Sequence, residues 1–447
     1  MKNGRFDAPG LSVIPKNLSC DVQEVIGGAR VVMQSPPQSA VFKPFHVMTK
    51  PIGAICNLDC RYCYYLAKKE LYPGDHFRIR EGVLEAYLRQ VIEAQPPGEV
   101  TIAWQGGEPT LMGLEFFRHA VDLAERYRRP DQHLTHTLQT NATLLTDEWA
   151  QFLKDRDFLV GISIDGPAPL HDVYRVDKQG NASWHKVMRG MQYLQHHAVR
   201  FNVLCTVHSV NADRPLEVYR FFRDECGARF VQFIPIVEQR DEGARVSERS
   251  VTGDQWGRFL VAVFDEWVRN DVGEVFVQMF DTALAAWLHL PAAMCIFAET
   301  CGRAVALEHN GDVYSCDHFV DPQHRLGNIM EIPLTEMVAS SQQQRFGEAK
   351  RDTLPRYCIE CDVRFACNGE CPKNRFLKTP DGEGGLNYLC AGYKMFFHHI
   401  DGSMRIMADL LRQERSPAEI MDIFARADRN KPCPCGSGRK AKKCHGR

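Results

Sequence analysis

No apolar run in this 447-residue chain is long enough to cross a bilayer. Residues Met1 to Gly10 hold no apolar core followed by a small-residue cleavage site, so no secretory signal is expected. The expectation is a cytoplasmic protein with no membrane partner. An excess of one charge is missing too. Lys plus Arg number 54 and Asp plus Glu 56, a formal net charge of −2. That balance argues against recognition of nucleic acid or an anionic membrane by bulk charge. No long-period internal repeat is present. The length allows a large α/β body with one or two smaller units. What the chain has in excess is cysteine, 17 residues in short-spaced sets. In a reducing compartment such sets bind metal more often than they form disulfides.

Residues 1 to about 40 read as a peripheral extension ending in the linker-like Gln34-Ser35-Pro36-Pro37-Gln38-Ser39. From Phe45 onward, β-prone runs recur at Phe45–Thr49, Val100–Trp104, Thr135–Gln139, Phe158–Ile164, Arg200–Val207 and Phe230–Ile234. Helical patterns separate them. In Glu81–Ala94, the residues Val83, Leu84, Tyr87, Leu88, Val91 and Ile92 line one face. Glu148–Asp155, Trp184–His196 and Pro215–Glu225 are similar, and Gly253–Asn270 closes the unit. Strand–helix alternation predicts a parallel α/β sheet. Six strands suit an open, partial barrel, with its chemistry at the C-terminal strand ends. Residues 271 to about 400 read as irregular, and Tyr393–Glu414 and Pro417–Ala427 as terminal helices.

Cys56, Cys60 and Cys63 form C-x3-C-x2-C directly after the first strand. Three thiolates on a short loop can hold three corners of a four-iron cubane, which otherwise takes four cysteines. One iron is then open to a ligand. A zinc knuckle or three unrelated thiols are the alternatives at this point. Further motifs follow at successive strand ends: Gly106-Gly107-Glu108-Pro109, Gln139-Thr140-Asn141 and Ser163-Ile164-Asp165-Gly166, with Arg175 shortly after.

Taken together, these motifs resemble the radical SAM enzymes, whose open iron chelates S-adenosylmethionine. The later cysteines Cys295, Cys301, Cys316, Cys358, Cys361, Cys367, Cys371 and Cys390 equal two four-thiolate sets. Spacing alone also permits two zinc sites. The block resembles the SPASM extension of radical SAM peptide-modifying enzymes. That resemblance implies one auxiliary [4Fe–4S] cluster on Cys295, Cys301, Cys316 and Cys371, and a second on Cys358, Cys361, Cys367 and Cys390. Over residues 42 to 400 the match is closest to the anaerobic sulfatase-maturating enzymes. It implies a partial (β/α)6 radical SAM barrel over 42–270 and a SPASM domain over 271–400, with a helical linker over 401–430.

The same resemblance implies Asp317 as catalytic base, and SAM contacts from Tyr62, Gly107, Ser163, Arg175 and Ile236. Tyr65 and Gln105 read either as substrate-facing or as core and turn residues. The implied reaction oxidises a sulfatase cysteine or serine to Cα-formylglycine. Its partners would be an unfolded or nascent sulfatase with a C/S-x-P-x-R motif and a flavin or iron–sulfur electron donor. Another SPASM peptide maturase, forming thioether or carbon–carbon crosslinks, and a zinc-rich adaptor are the competing readings.

The C-terminal end reads Cys433-Pro434-Cys435, then Cys444-His445, with Arg439, Lys440, Lys442 and Lys443 between. C-x-C-x8-C-H offers four ligands for a tetrahedral zinc. It resembles the SEC-C zinc motif over 431–447. Its partner is left open, with an acidic surface, a ribosome or nucleic acid as candidates. Cys205 and Cys226 are expected in the core.

Overall fold

The computed structural model describes residues 44–240 and 245–445. The N-terminal extension expected at 1–41, including Cys20, lies outside the described residues. Six parallel strands run in sequence order through the body: β1 (His46–Lys50), β2 (Gly98–Trp104), β3 (Gln132–Thr140), β4 (Leu159–Ser163), β5 (Arg200–Val207) and β6 (Phe230–Pro235). Between them lie α1 (Glu81–Ala94), α2 (Leu114–Tyr127), α3 (Asp147–Asp155), α4 (Ala168–His171), α5 (Trp184–His196) and α6 (Pro215–Arg220). The periodicity of α1 holds, since Val83, Leu84, Tyr87, Leu88, Val91 and Ile92 are all buried. The predicted helix over 215–225 is α-helical only to Arg220 and ends in a π-turn, Phe221–Glu225. The next helix, α7 (Gly253–Asn270), starts where predicted because Thr252 and Gln255 cap each other's backbone N–H groups.

The region read as irregular is more regular than its sequence implies. Strand β7 (Phe276–Val277) pairs in parallel with the start of β6 and leads into α8 (Gln278–Trp287). Strand β8 (Ala304–Glu308) pairs in parallel with β1, from His46 opposite Ala304 to Lys50 opposite Glu308. Strands β9 (Asp312–Tyr314) and β10 (Arg325–Asn328) follow antiparallel. The result is one open sheet, ordered β10-β9-β8-β1-β2-β3-β4-β5-β6-β7. Its two edge strands do not pair, so the sheet is not a closed barrel among the described residues. Pairing with β8 covers the otherwise bare edge of β1, and so joins the cysteine-rich region to the body.

Beyond the sheet come α9 (Leu334–Ala339), α10 (Ser341–Asp352), α11 (Arg356–Ile359), α12 (Arg364–Cys367), α13 (Cys390–Arg412) and α14 (Glu419–Ala425). Helix α13 lies against α7 and buries Tyr393, Phe396, Phe397, Ile400 and Met404. One contiguous core runs from Phe45 to Cys435. No helix among the described residues is long and apolar enough to cross a membrane.

Candidate active site

The loop leaving β1 turns back at once, with Gly53 N donating to Lys50 O at 3.0 Å. Asp59 N bonds Val176 O at 2.8 Å and Arg61 N bonds Tyr174 O at 2.9 Å, which fixes the loop against the segment after α4. Cys56, Cys60 and Cys63 are half-buried on it. Burial pushes the Cys56 thiol up to about 12 and the Cys60 thiol up to about 11. Thiolates held there need a positive partner such as a metal cluster. Asn141, from the end of β3, places Nδ2 3.6 Å from Cys56 Sγ.

Gly107 lies against this loop for a steric reason. A Cβ on it would stand 1.8 Å from Ile55 O. Gly107 N donates to Gly53 O at 2.9 Å and Glu108 N to Ile55 O at 2.8 Å. The close approach at Gly107 is to the cysteine loop's own backbone. Glu108 is fully buried and accepts from Thr110 N, Thr110 Oγ1, Thr140 Oγ1 and Asn141 N at 2.6–3.1 Å. It locks the ends of β2 and β3 together, a role the sequence reading missed.

Tyr62 and Arg175 converge on Asp165. The Tyr62 hydroxyl donates to Asp165, and Arg175 Nε pairs with the same carboxylate at 2.9 Å. The guanidinium stands 5.5 Å from the centre of the Tyr62 ring. Asp165 Oδ1 accepts from Thr206 N at 2.9 Å. Burial opposes its charge, but Arg175 holds its carboxyl below the usual range. In this arrangement the Arg175 head is occupied by Asp165 and by Thr206 Oγ1 at 3.2 Å. Ser163 Oγ accepts from Gln139 Nε2 at 2.9 Å, and Ile236 is buried just beyond β6.

Asp317 follows Cys316 and points back at the first loop. Its carboxylate pairs with Lys50, the last residue of β1, and accepts from the Tyr64 hydroxyl. Burial opposes ionisation, but Lys50, His318 and the Tyr64 hydroxyl together outweigh it and bring the Asp317 carboxyl to about 2. Tyr64 adjoins Cys63, so this hydrogen bond ties the first cysteine loop to the second cysteine region. Tyr65 is buried, with its hydroxyl donating to Glu308 Oε1 at 2.5 Å and its ring 4.8 Å from Lys50 Nζ. Its core reading holds, although it borders the site. Gln105 instead faces an open cavity of about 240 Å³ on the sheet, walled also by Gln139, Asn202, Gln232 and Asp281.

The eight later thiols separate into two neighbourhoods. Cys316 feels the charges of Cys295 and Cys301, and Cys371 feels those of Cys316 and Cys295. Cys390 feels Cys358 and Cys361, and Cys367 feels Cys390 and Cys358. Cys358, Cys361, Cys367 and Cys390 also wall one small cavity. Each set has a cation beside it, fully buried for the first and half-buried for the second. Lys350 Nζ donates to Cys295 O and Ile296 O, both at 2.9 Å, and Arg375 donates to Gly369 O at 2.9 Å beside the second set. A mononuclear tetrahedral zinc at about 2.3 Å from each sulfur spaces the sulfurs about 3.8 Å apart. Among the described residues neither set brings three ligand atoms within 4.8 Å of one another. That spread suits a larger metal cluster.

The C-terminal knuckle is different, because ligand atoms of Cys433, Cys435, Cys444 and His445 do lie within 4.8 Å of one another. Three of the four residues are buried. Cys205 and Cys226 are fully buried in the core, as expected.

Residues 51–222 match the radical SAM superfamily, 295–362 an iron–sulfur cluster-binding domain named SPASM, and 429–447 the SEC-C motif. The chain is 44% identical over 405 residues to the serine-type anaerobic sulfatase-maturating enzyme of Bacteroides thetaiotaomicron, covering 87% of this chain and 97% of that one. The cysteine-type enzyme of Clostridium perfringens is 32% identical, over 80% and 96%. Native anSMEcpe, solved with bound AdoMet and the Kp18Cys peptide, superposes with a TM-score of 0.74 at 31% identity, over 82% of this chain and 99% of that one.

The chain belongs to the anaerobic sulfatase-maturating enzyme family. The sequence motifs and the resemblance pointed to the cysteines and Asp317. They missed Lys50, Tyr64, Glu108, Lys350 and Arg375, which set the charge and shape around them. The only signal for Lys50 was a lysine ending a hydrophobic strand.

Proposed function

We propose that this maturase oxidises an active-site cysteine or serine of a sulfatase polypeptide to Cα-formylglycine. The single observation that carries this reading is the Asp317 carboxylate, held charged by Lys50 and Tyr64 between the first cysteine loop and Cys316. The half-buried thiols of Cys56, Cys60 and Cys63, with no fourth cysteine on their loop, fit a four-iron cluster with one open iron. When bound there with S-adenosylmethionine, that cluster supplies a 5′-deoxyadenosyl radical able to take hydrogen from the substrate's β-carbon. Tyr62, Gly107, Ser163, Arg175 and Ile236 are proposed to contact S-adenosylmethionine. Cys295, Cys301, Cys316 and Cys371 would hold one auxiliary cluster, and Cys358, Cys361, Cys367 and Cys390 another. The full complement is then about twelve irons, plus one zinc in the knuckle. The proposed domain division is 1–41, 42–270, 271–400, 401–430 and 431–447, with α13 running across the boundary at 400.

Asp317 takes the proton from the substrate sulfur or oxygen, and the one electron left on the substrate would pass to the auxiliary cluster that Cys316 would help to hold beside it. A carboxylate this acidic is a weak base, suited to a proton made acidic by the neighbouring carbon radical. Lys50 and Tyr64 fix its position before reaction, so little reorganisation is needed. The cavity beside Gln105 is proposed to receive the peptide, and a small flavin or iron–sulfur protein to donate electrons. Anaerobic incubation with Cys-x-Pro-x-Arg and Ser-x-Pro-x-Arg peptides tests the reading by mass spectrometry. The serine peptide should lose two hydrogens, or the cysteine peptide should exchange sulfur for oxygen and lose two hydrogens. Cofactor cleavage with both peptides unchanged would point instead to another peptide maturase.

A further inference from the structure

The knuckle is joined to the body through one carboxylate. His445 directs Nδ1 at the thiols, 3.6 Å from Cys433 Sγ and 3.4 Å from Cys444 Sγ. Its other nitrogen, Nε2, lies 3.1 Å from Asp265 Oδ1 on α7. That same oxygen lies 2.6 Å from Nε2 of His399 on α13. The His445 ring stacks on Phe424 of α14, centroids 4.6 Å apart at 10°. Backbone contacts agree. A Cβ on Gly402 of α13 would stand 1.6 Å from Cys435 O, and Arg269 of α7 donates to Cys444 O at 3.4 Å. The basic residues Arg439, Lys440, Lys442 and Lys443 are exposed on the outside.

We infer that the knuckle is an internal clasp, in which Asp265 orients His445 toward zinc while holding His399, so that the bound metal braces α7 against α13. This rests on the proposal that the four ligands hold zinc. A histidine that ligates through one nitrogen commonly gives its other N–H to a carboxylate, which fixes the tautomer and ring angle. Here that carboxylate belongs to the last helix before β7. The helix it is braced against begins with Cys390, a ligand candidate of the second auxiliary set. The metal therefore acts at a distance from the chemistry, on the helix that presents Cys390.

The test uses the full holoenzyme, counting zinc against a Cys433→Ala/Cys435→Ala double variant. Wild type should hold one more zinc than the double variant. Equal counts would overturn the zinc reading, and the clasp with it. Asp265→Asn keeps the shape of the side chain, and His399→Gln is a second, independent probe. Both should surrender zinc to a colorimetric chelator roughly 10-fold faster than wild type. Deuterium uptake in residues 390–412 should rise when zinc is removed. If zinc is present but both variants release it at the wild-type rate, Asp265 is not its orienting partner. If removal leaves uptake over 390–412 unchanged, the knuckle does not brace α13.

Discussion

Two short loops in this molecule each present three cysteines, and they use them in opposite ways. The loop after β1 spreads Cys56, Cys60 and Cys63 and offers no fourth ligand; burial raises the Cys56 and Cys60 thiols. The knuckle gathers three cysteines and a histidine within 4.8 Å. There, burial works against the Cys435 thiolate but hydrogen bonds from His445 and Ser437 outweigh it and lower its thiol, whereas burial pushes the neighbouring Cys444 thiol up to about 12, as it does Cys56. A closed four-ligand set suits a structural ion, and an incomplete set suits a metal that must bind something else. The number of cysteines does not decide between these uses. Their spacing in space, and what completes the set, do.

Removing one cysteine from each loop separates the two uses. Cys60→Ala should abolish 5′-deoxyadenosine release, read by chromatography, whereas Cys433→Ala should leave it near wild type. Next, Asp317→Asn should retain the iron content yet lower formylglycine yield by about 10²–10⁴-fold. Normal turnover of that variant would remove Asp317 as base.

Lys50→Met is expected to act on both stability and pH dependence. Lys50 and Asp317 have side chains 3% and 12% exposed, and removing one partner of such a pair costs about 3–5 kcal/mol. The sign with pH follows from the lowered Asp317 carboxyl. Its folded value of about 2 lies below the unfolded value near 3.9, so the pair's stabilisation is complete above about pH 4 and is lost as pH falls toward 2. Wild type should therefore show no acid limb from Asp317 above about pH 4. Lys50→Met should move that limb upward, measured as formylglycine yield against pH. The smallest effect belongs to the outer face of the knuckle. Lys440→Ala should change unfolding free energy by less than about 0.5 kcal/mol, because the side chain is exposed.

Legibility in the sequence followed the same physics. Strands β1 to β6 and helices α1, α5 and α7 showed through because each has one buried face and a clear period. Strand β8 did not, since Ala304–Glu308 is a five-residue run buried along almost its whole length, without alternation. Its identity as a strand depends on β1 lying beside it. The cysteines after β1 and in the knuckle stood out because their spacing is local, whereas the division of the eight later ones into two sets came from the family resemblance, since one set runs from Cys295 to Cys371. Lys50, Tyr64 and Asp317 were not legible as a group, because their contact joins positions 253 residues apart. Asp265 and His399 were hidden in the same way, being ordinary polar residues on two helices until the knuckle meets them.

On the proposed reading, the radical generated at the Cys56 loop acts on a peptide whose proton Asp317 removes. A signature peptide deuterated at the β-carbon of its reacting residue tests it, with mass spectrometry of both products. Deuterium in 5′-deoxyadenosine, in step with aldehyde formation, is the predicted result. Aldehyde without deuterium in 5′-deoxyadenosine, or 5′-deoxyadenosine with the peptide intact, would contradict it.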